Sequence, residues 1–141
     1  MHNPPLVSVI CLCYNHSAYV VEALESVMRQ SHPHVELLIA DDCSTDNSVE
    51  VIEKWLEEHP EVSFTANKKN LGNTTTFNAC MKQAKGAYII DLAADDVLKY
   101  DSIALQLKGF AESKYANVGL IYGNAELITE KGAFIKAVQL F

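Results

Sequence analysis

Residues 6–13 read Leu6-Val7-Ser8-Val9-Ile10-Cys11-Leu12-Cys13, a nearly continuous apolar run with the length of one strand. Apolar residues on both faces of a strand are typical of a parallel sheet that is covered by helices on both sides. The polar pair Tyr14-Asn15 follows the run directly. We therefore predict a strand that is buried on both faces and has polar residues at its carboxyl end.

Outward from this run, predicted strands and amphipathic helices alternate along the chain. Helices are predicted from 17 to about 30, from 44 to 58, from 74 to 85 and from 102 to 113, with Ser17 and Ser44-Thr45-Asp46 as capping groups and Gly86 closing the third helix. Strands are predicted at 36–40, 62–65, 88–92 and 118–122, followed by a hairpin of 125–129 and 133–140. Repeated strand–helix units predict an α/β fold with a mostly parallel sheet flanked by helices.

Composition narrows the class of protein. The chain has 141 residues, of which 49% are hydrophobic, and we predict one domain that spans residues 1–141. A net charge of −7 without a basic stripe argues against a nucleic-acid partner. Four cysteines without CxxC spacing indicate reduced thiols. No segment approaches the ~18 apolar residues of a membrane span, and no basic region precedes the first apolar run, so we predict no transmembrane segment, no signal peptide and a cytoplasmic protein.

Polar residues follow three of the predicted strands. These are Tyr14-Asn15, Asp41-Asp42 and Asp95-Asp96. In a parallel sheet the carboxyl ends of the strands meet at one edge, where ligands bind, so we expect the three pairs to lie close together. The alternative is structural: Asp41 and Asp42 cap a turn with Ser44, and the later pair precedes a helix whose dipole favours acids.

The residue types at these strand ends suit a nucleoside diphosphate. Tyr14 can stack on a base, although a tyrosine at a strand end also packs into cores, and Asp42 can accept a hydrogen bond from a base N–H. Asp95 and Asp96 can hold Mg²⁺ or Mn²⁺ against the two phosphates, because these cations need few carboxylates. No P-loop or dinucleotide-binding motif is present. Among the histidines, His16 follows Tyr14-Asn15 at the expected ligand edge, where it could contact a phosphate or sugar, but we expect an ordinary loop residue. We expect His32 and His34 to lie on the surface.

Several segments together resemble the family-2 inverting glycosyltransferases. The matching segments, in order along residues 6 to about 100, are Val7-Ser8-Val9-Ile10, Tyr14-Asn15, Leu24-Glu25-Ser26-Val27, Gln30-Ser31, Leu38 to Asp46, Asn70-Leu71-Gly72, Asn78, Gly86-Ala87-Tyr88-Ile89 and Ala93-Ala94-Asp95-Asp96. The resemblance implies the GT-A fold, a three-layer, Rossmann-like, mostly parallel sheet flanked by helices. Cys43, Phe77 and Ala93 stand where the family usually has glycine, arginine and the first aspartate of its "DxDD" site.

The resemblance also implies residue roles. The nucleotide-binding residues would be Tyr14, Asn15, Asp42, Asn78 and Asp95, with Tyr14 on the base, Asp42 at the base edge and Asp95 near the ribose or sugar. Asp96, together with Asp95, would hold the metal, Mg²⁺ or Mn²⁺, on the diphosphate.

No carboxylate after Asp101 resembles the family's general base. The acids available there are Glu112, Glu126 and Glu130, and we expect the base to lie beyond Phe141 in a longer enzyme, of which this chain is the donor-binding half. The intact enzyme would transfer a sugar, most readily from a UDP-sugar, to a saccharide or lipid-linked acceptor with inversion. Such chemistry serves cell-surface polysaccharide biosynthesis at the inner face of the membrane.

Two other interpretations fit an α/β domain with acids at strand ends. One is a non-catalytic nucleotide-binding module. The other is a response-regulator-like receiver, which would need an acid pair after the first strand, where this chain has Cys13-Tyr14-Asn15.

Overall fold

The computed structural model describes residues 3–139 and divides the chain into two compact units, one up to Ile103 and one from Ala104 onward. The first unit alternates strands and helices as predicted. Its elements are β1 (Val7–Cys13), α1 (Val20–Met28), β2 (Val35–Asp41), α2 (Ser48–Leu56), β3 (Ser63–Ala66), α3 (Asn73–Met81) and β4 (Tyr88–Ala93). Helix α4 (Ser102–Glu112) begins just before the boundary between the units.

The first unit is built on a four-stranded sheet with the order β3-β2-β1-β4. All three pairings are parallel, so every strand ends at the same edge. The apolar run that opens the sequence forms β1, which lies between β2 and β4 and is buried at every position except Leu12. The prediction of a strand buried on both faces is therefore confirmed.

Helix α3 covers one face of this sheet. Its Cys80 packs in a buried cluster with Ile10 of β1 and with Leu38 and Ala40 of β2, and partly buried apolar residues surround that cluster, namely Leu12, Phe77 and Ala84. Burying such side chains contributes roughly 25 cal/mol per Å² of apolar surface removed from water. This packing fixes α3, and the loop before it, over the ends of β1 and β2.

Strand β4 is less buried than its apolar sequence predicts. Only Leu92 is buried, and Ile89, Asp91 and Ala93 are exposed. The reason is its place in the fold: β4 is an edge strand, while α3 packs against β1 and β2. One face of β4 is consequently open.

Gly86 has a different role from the predicted helix cap. Helix α3 ends at Met81, five residues earlier, and Gly86 does not adopt a positive φ. Its N–H donates to the hydroxyl of Ser8 at 2.8 Å, and a Cβ at this position would lie 2.5 Å from the Ser8 backbone nitrogen. Glycine is needed because the chain passes directly against β1 here.

His32 is another correction to the sequence-based expectations. It is buried rather than on the surface, and its Nε2 lies 2.7 Å from the carbonyl oxygen of Pro5. His34 is exposed, as predicted.

The second unit contains the predicted hairpin. Strands β5 (Ala125–Ile128) and β6 (Phe134–Val138) pair antiparallel around a turn in which Gly132 has a φ of +76°. The predicted end of this hairpin at Leu140 lies outside the described residues. The predicted strand at 118–122 is wrong: these residues are irregular and belong to neither sheet of the described chain. An apolar run becomes a strand only when a neighbour takes up its backbone hydrogen bonds.

Candidate functional site

A cleft of about 450 Å³ lies at the edge where the parallel strands end. Residues from the ends of β1, β2 and β4 line it together with the loop before α3 and the first turns of that helix. The lining residues are Leu12, Cys13, Tyr14, His16, Asp42, Asn70, Gly72, Asn73, Thr76, Asp91, Ala93 and Asp96. Tyr14, Asp42 and Asp96 are thus brought together as predicted, because the sheet is parallel.

Asp42 is buried and accepts four hydrogen bonds from the protein. Its Oδ1 accepts from Asn67 Nδ2 at 2.8 Å, Leu71 N at 2.8 Å and Thr76 Oγ1 at 3.0 Å, and its Oδ2 accepts from Gly72 N at 2.8 Å. Burial opposes ionisation, but these hydrogen bonds prevail and lower the pKa of Asp42. An ionised carboxylate offers about four lone-pair sites, so Oδ2 keeps the capacity to accept one further bond at the cleft.

Asp41 caps the turn after β2, which is the structural alternative that the sequence offered for Asp41 and Asp42. It is fully buried, and it accepts hydrogen bonds from the backbone N–H of Ser44 at 2.8 Å and from the Ser44 hydroxyl at 2.5 Å. Asp41 therefore closes the turn after β2. Asp42 makes its contacts with residues 67–76 instead, so the two adjacent acids organise different loops.

Tyr14 and Asn15 differ in what they do at the end of β1. Tyr14 lines the cleft with 44% of its surface exposed, so its ring is not core packing. Asn15 has a φ of +60°, and its Oδ1 accepts from Thr45 N at 2.7 Å, Thr45 Oγ1 at 3.2 Å and Asp46 N at 3.3 Å. The Asn15 side chain thereby ties the loop after β1 to the loop after β2.

Asp46 strengthens the same junction between loops. It accepts from the backbone N–H groups of Ser17 at 3.1 Å and Ser48 at 2.9 Å. Despite the opposing effect of burial, the Ser48 and Ser17 hydrogen bonds lower the pKa of Asp46 to about 2. Asp46 thus supplies an acceptor to the first residue of α2, whereas the N-cap residue is Asn47, which makes no side-chain cap bond. Ser17 does not cap α1, which begins at Val20 without a side-chain cap.

The acids after β4 lie near a histidine. Burial raises the pKa of Asp96, the charge of Asp95 raises it further, and His16 opposes both. His16 Nε2 lies 3.7 Å from Asp95 Oδ2, and His16 Nδ1 is buried with no hydrogen-bond partner among residues 3–139. His16 is therefore part of the cleft, not the ordinary loop residue that the sequence suggested.

Three predicted site residues are not among those that line the cleft: Asn15, Asn78 and Asp95. Asn78 is exposed on α3. Sequence reasoning missed Asn73, Thr76 and Asp91 as lining residues. The polar turn at 67–73 was a usable signal for the first two, because loops that follow parallel strands surround the ligand edge.

Within the described residues, no group of three or more His, Cys, Asp or Glu side chains is placed to hold a metal ion. No helix in that part of the chain has the length and apolar character needed to cross a membrane.

The family model described as glycosyl transferase family 2 matches residues 8–133, and the chain belongs to this family. A similar curated relative is the putative teichuronic acid biosynthesis glycosyltransferase TuaG of Bacillus subtilis, which is 35% identical over 112 residues. The match covers 79% of this chain and 44% of the relative.

Solved glycosyltransferases share the fold. The mannosyltransferase PcManGT of Pyrobaculum calidifontis, in complex with GDP-Man and Mn²⁺, superposes with a TM-score of 0.70 at 26% identity over 78% of this chain and 33% of its own. S. aureus TarS 1-349, in complex with UDP-GlcNAc, superposes with a TM-score of 0.62 at 28% identity, over 74% of this chain and 30% of its own. The predicted GT-A-type α/β fold is confirmed. The chain spans less than half the length of each of these three proteins.

Proposed function

We propose that this chain forms the donor-binding part of a glycosyltransferase that transfers a sugar from a nucleoside diphosphate to an acceptor hydroxyl with inversion. The observation behind the proposal is the convergence of Tyr14, Asp42 and Asp96 on one cleft at the carboxyl edge of a parallel sheet. Two of the similar structures are complexes with GDP-Man and with UDP-GlcNAc, which supports a nucleotide sugar as the ligand.

The nucleotide base of the ligand would bind between Tyr14 and Asp42. The exposed ring of Tyr14 offers a flat apolar surface, and the free acceptor site on Asp42 Oδ2 would take an N–H from the base edge. Uracil presents one such N–H, which favours UDP. Asn15 would act indirectly, by holding the loops after β1 and β2 in place. Asn78 and Asp95 do not line the cleft, so they would contact only a part of the ligand that extends beyond it.

The diphosphate requires a cation in this cleft. No Lys or Arg is among the lining residues, while Asp42, Asp91 and Asp96 are. Two phosphates would therefore meet a field of their own sign unless a positive ion intervenes. Asp95 and Asp96 suit Mg²⁺ or Mn²⁺, because these ions bind one or two carboxylates and take their other ligands from phosphate and water. When bound, the ion would neutralise charge on the departing diphosphate.

The base that deprotonates the acceptor would come from outside residues 1–141. The acids after Asp101 are Glu112, Glu126 and Glu130, and none of them stands in a segment that resembles the family's general base. The longer enzyme would act on a saccharide or lipid-linked acceptor for a cell-surface polysaccharide, in the cytoplasm at the inner face of the membrane. The name of the Bacillus subtilis relative, which refers to teichuronic acid biosynthesis, supports this assignment.

Calorimetric titration of the chain tests the proposal. UDP should bind in the presence of Mn²⁺ and more weakly with chelator. Tyr14→Ala should lower the affinity by roughly 1–3 kcal/mol, the value of stacking a base on an aromatic ring. Tyr100→Ala, which removes a 69% exposed tyrosine outside the lining, is the matched control and should change nothing. A folded chain that binds no nucleotide with or without metal would refute the donor site, and equal binding with chelator would refute only the metal.

A further inference from the structure

Asp91 is an acid in the middle of β4 that the proposed donor site does not use. It pairs in register with Ile10 of β1, and Ala93 pairs with Leu12. Partners in a parallel ladder direct their side chains to the same face of the sheet. Ile10 packs against Cys80 of α3, so Asp91 and Ala93 lie on the face of the sheet that carries α3.

The Asp91 carboxylate differs from four other acids around this sheet. Glu36, Asp41, Asp42 and Asp46 each accept two or more hydrogen bonds from protein donors. No residue within 3–139 donates a hydrogen bond to Asp91, and none forms an ion pair with it. Partial burial raises the pKa of Asp91. The residue is nevertheless exposed, so its carboxylate is open to a donor group of a bound ligand.

The cleft gives a ligand access to this carboxylate. Asp91, Ala93 and Asp96 all line it. A strand rises about 3.3 Å per residue, so Asp91 lies about 6.6 Å below Ala93 along the same face. On that face, the only side chain of β4 between Asp91 and the end of the strand is the methyl group of Ala93. A ligand held near Asp96 can therefore extend a polar group down to Asp91.

We propose that Asp91 is a ligand-binding residue of this cleft, whose carboxylate accepts a hydrogen bond from a hydroxyl group of the bound nucleotide sugar. This inference rests on the proposed donor site. A hydroxyl is the appropriate partner because it can donate a hydrogen bond to a carboxylate, and a nucleotide sugar carries hydroxyl groups on its ribose and on its sugar. The hydroxyl belongs either to the ribose or to the transferred sugar, and these two sources share the same hydrogen-bond chemistry.

The test compares the chain with its Asp91→Asn variant, which keeps the volume and removes the charge. Calorimetry with UDP and with UDP-GlcNAc, both with Mn²⁺, should show roughly two- to fivefold weaker binding, because the amide oxygen can still accept the bond but without charge assistance. A loss with both ligands would identify a ribose hydroxyl, and a loss with UDP-GlcNAc alone would identify the sugar. Glu53→Gln, at an exposed position of α2, removes the same charge outside the cleft and should leave both affinities unchanged.

Thermal unfolding of the ligand-free variants gives an independent readout. Asp91→Asn should leave the unfolding midpoint unchanged or raise it, because it removes a carboxylate that the fold does not satisfy. A lower midpoint would identify a structural role and overturn the inference. Unchanged affinities in Asp91→Asn, with a wild-type chain that binds, would overturn the inference and leave the donor site standing. A wild-type chain that binds neither nucleotide would overturn the donor site and this inference with it.

Discussion

Asp42→Asn should destabilise the first unit by about 2–4 kcal/mol at neutral pH, and the contacts of Asp42 give this figure. The amide oxygen can keep the three bonds now made to Oδ1, but the amide nitrogen then faces the N–H of Gly72. Losing that bond in a buried place costs about 1–3 kcal/mol. Gly72 N also lies 3.1 Å from Asn70 Oδ1, which favours the lower end of that range. The three remaining bonds lose their charge assistance, worth roughly 0.5 kcal/mol each.

The pH dependence of this difference follows from the lowered pKa of Asp42. A carboxyl group with a lowered folded-state pKa contributes stability above its unfolded pKa, near 3.9, and this contribution is lost as the pH falls through the folded value. Above about pH 5 the free energy of unfolding of the wild-type chain should exceed that of Asp42→Asn by the full difference. Below pH 4 this difference should shrink steadily. The variant itself should lack this part of the pH dependence.

Urea unfolding followed by the fluorescence of Trp55, the single tryptophan, measures the difference. Trp55 is 8% exposed on α2 and donates a hydrogen bond to Glu25 at 2.8 Å, so unfolding changes its surroundings. Glu53→Gln is the control and should lie within about 0.5 kcal/mol of the wild type. A difference below about 1 kcal/mol for Asp42→Asn at pH 7, or a gap that is as large at pH 3 as at pH 7, would refute the argument that the carboxylate holds residues 67–76.

Four further outcomes are expected. Asp96→Asn should weaken Mn²⁺-dependent binding of UDP in calorimetry and leave the unfolding midpoint unchanged or higher, because burial and Asp95 already disfavour the charge; a loss of stability beyond ~1 kcal/mol would instead indicate a capping role. Gly86→Ala should lower the unfolding free energy by about 1–3 kcal/mol through its clash with β1, whereas Gly119→Ala, whose Cβ would meet nothing within 4 Å, should have no such effect. Cys43→Gly should raise the unfolding free energy by about 1 kcal/mol, because Cys43 has a left-handed backbone with a φ of +66°, which glycine adopts without strain. An unchanged unfolding free energy would show that contacts in the loop already compensate for this strain. The chain alone should not transfer sugar in a product assay at a rate near that of a full-length family member, because we propose that the general base lies outside it, and losing such a base lowers the rate by about 10²–10⁴. Comparable rates would require a base among Glu112, Glu126 and Glu130.

The sequence predicts the parallel sheet well, because each strand ends in a recognisable way. The apolar run of β1 needs a sheet covered on both sides, and the polar pairs after β1, β2 and β4 meet at one edge once the strands are parallel. The run at 118–122 was assigned wrongly because its pattern is as apolar as a strand. Pairing with a neighbour decides whether such a run becomes a strand, and no local pattern contains that information.

At the carboxyl edge of the sheet, the roles of individual side chains were harder to predict than the positions of the residues. Asp41 and Asp42 are adjacent, yet one closes its own turn and the other holds a loop about thirty residues away. Adjacent residues of a strand face opposite sides, but where each carboxylate finds donors depends on loops that only the tertiary structure brings near. His16 and Asp91 were missed for the same reason. Cys43 was better marked, because a residue other than glycine stands where the family resemblance leads one to expect glycine, and the backbone there is left-handed.

The acids of this unit fall into two groups by their hydrogen bonds, and the grouping connects the fold to the chemistry. Asp41, Asp42 and Asp46 are satisfied by protein donors, so their charges stabilise the loops that shape the cleft. Asp91 and Asp96 line the same cleft, burial raises the pKa of each, and no residue within 3–139 donates a hydrogen bond to either carboxylate. Groups that lower stability in the empty protein are those from which a ligand or cation can gain the most on binding. Replacing each acid by its amide should therefore separate the two groups by sign: the first loses stability, and the second loses binding while keeping or gaining stability. Asp42 is the one acid expected to lose both, since its Oδ1 is committed to the loop and its Oδ2 retains an acceptor site at the cleft.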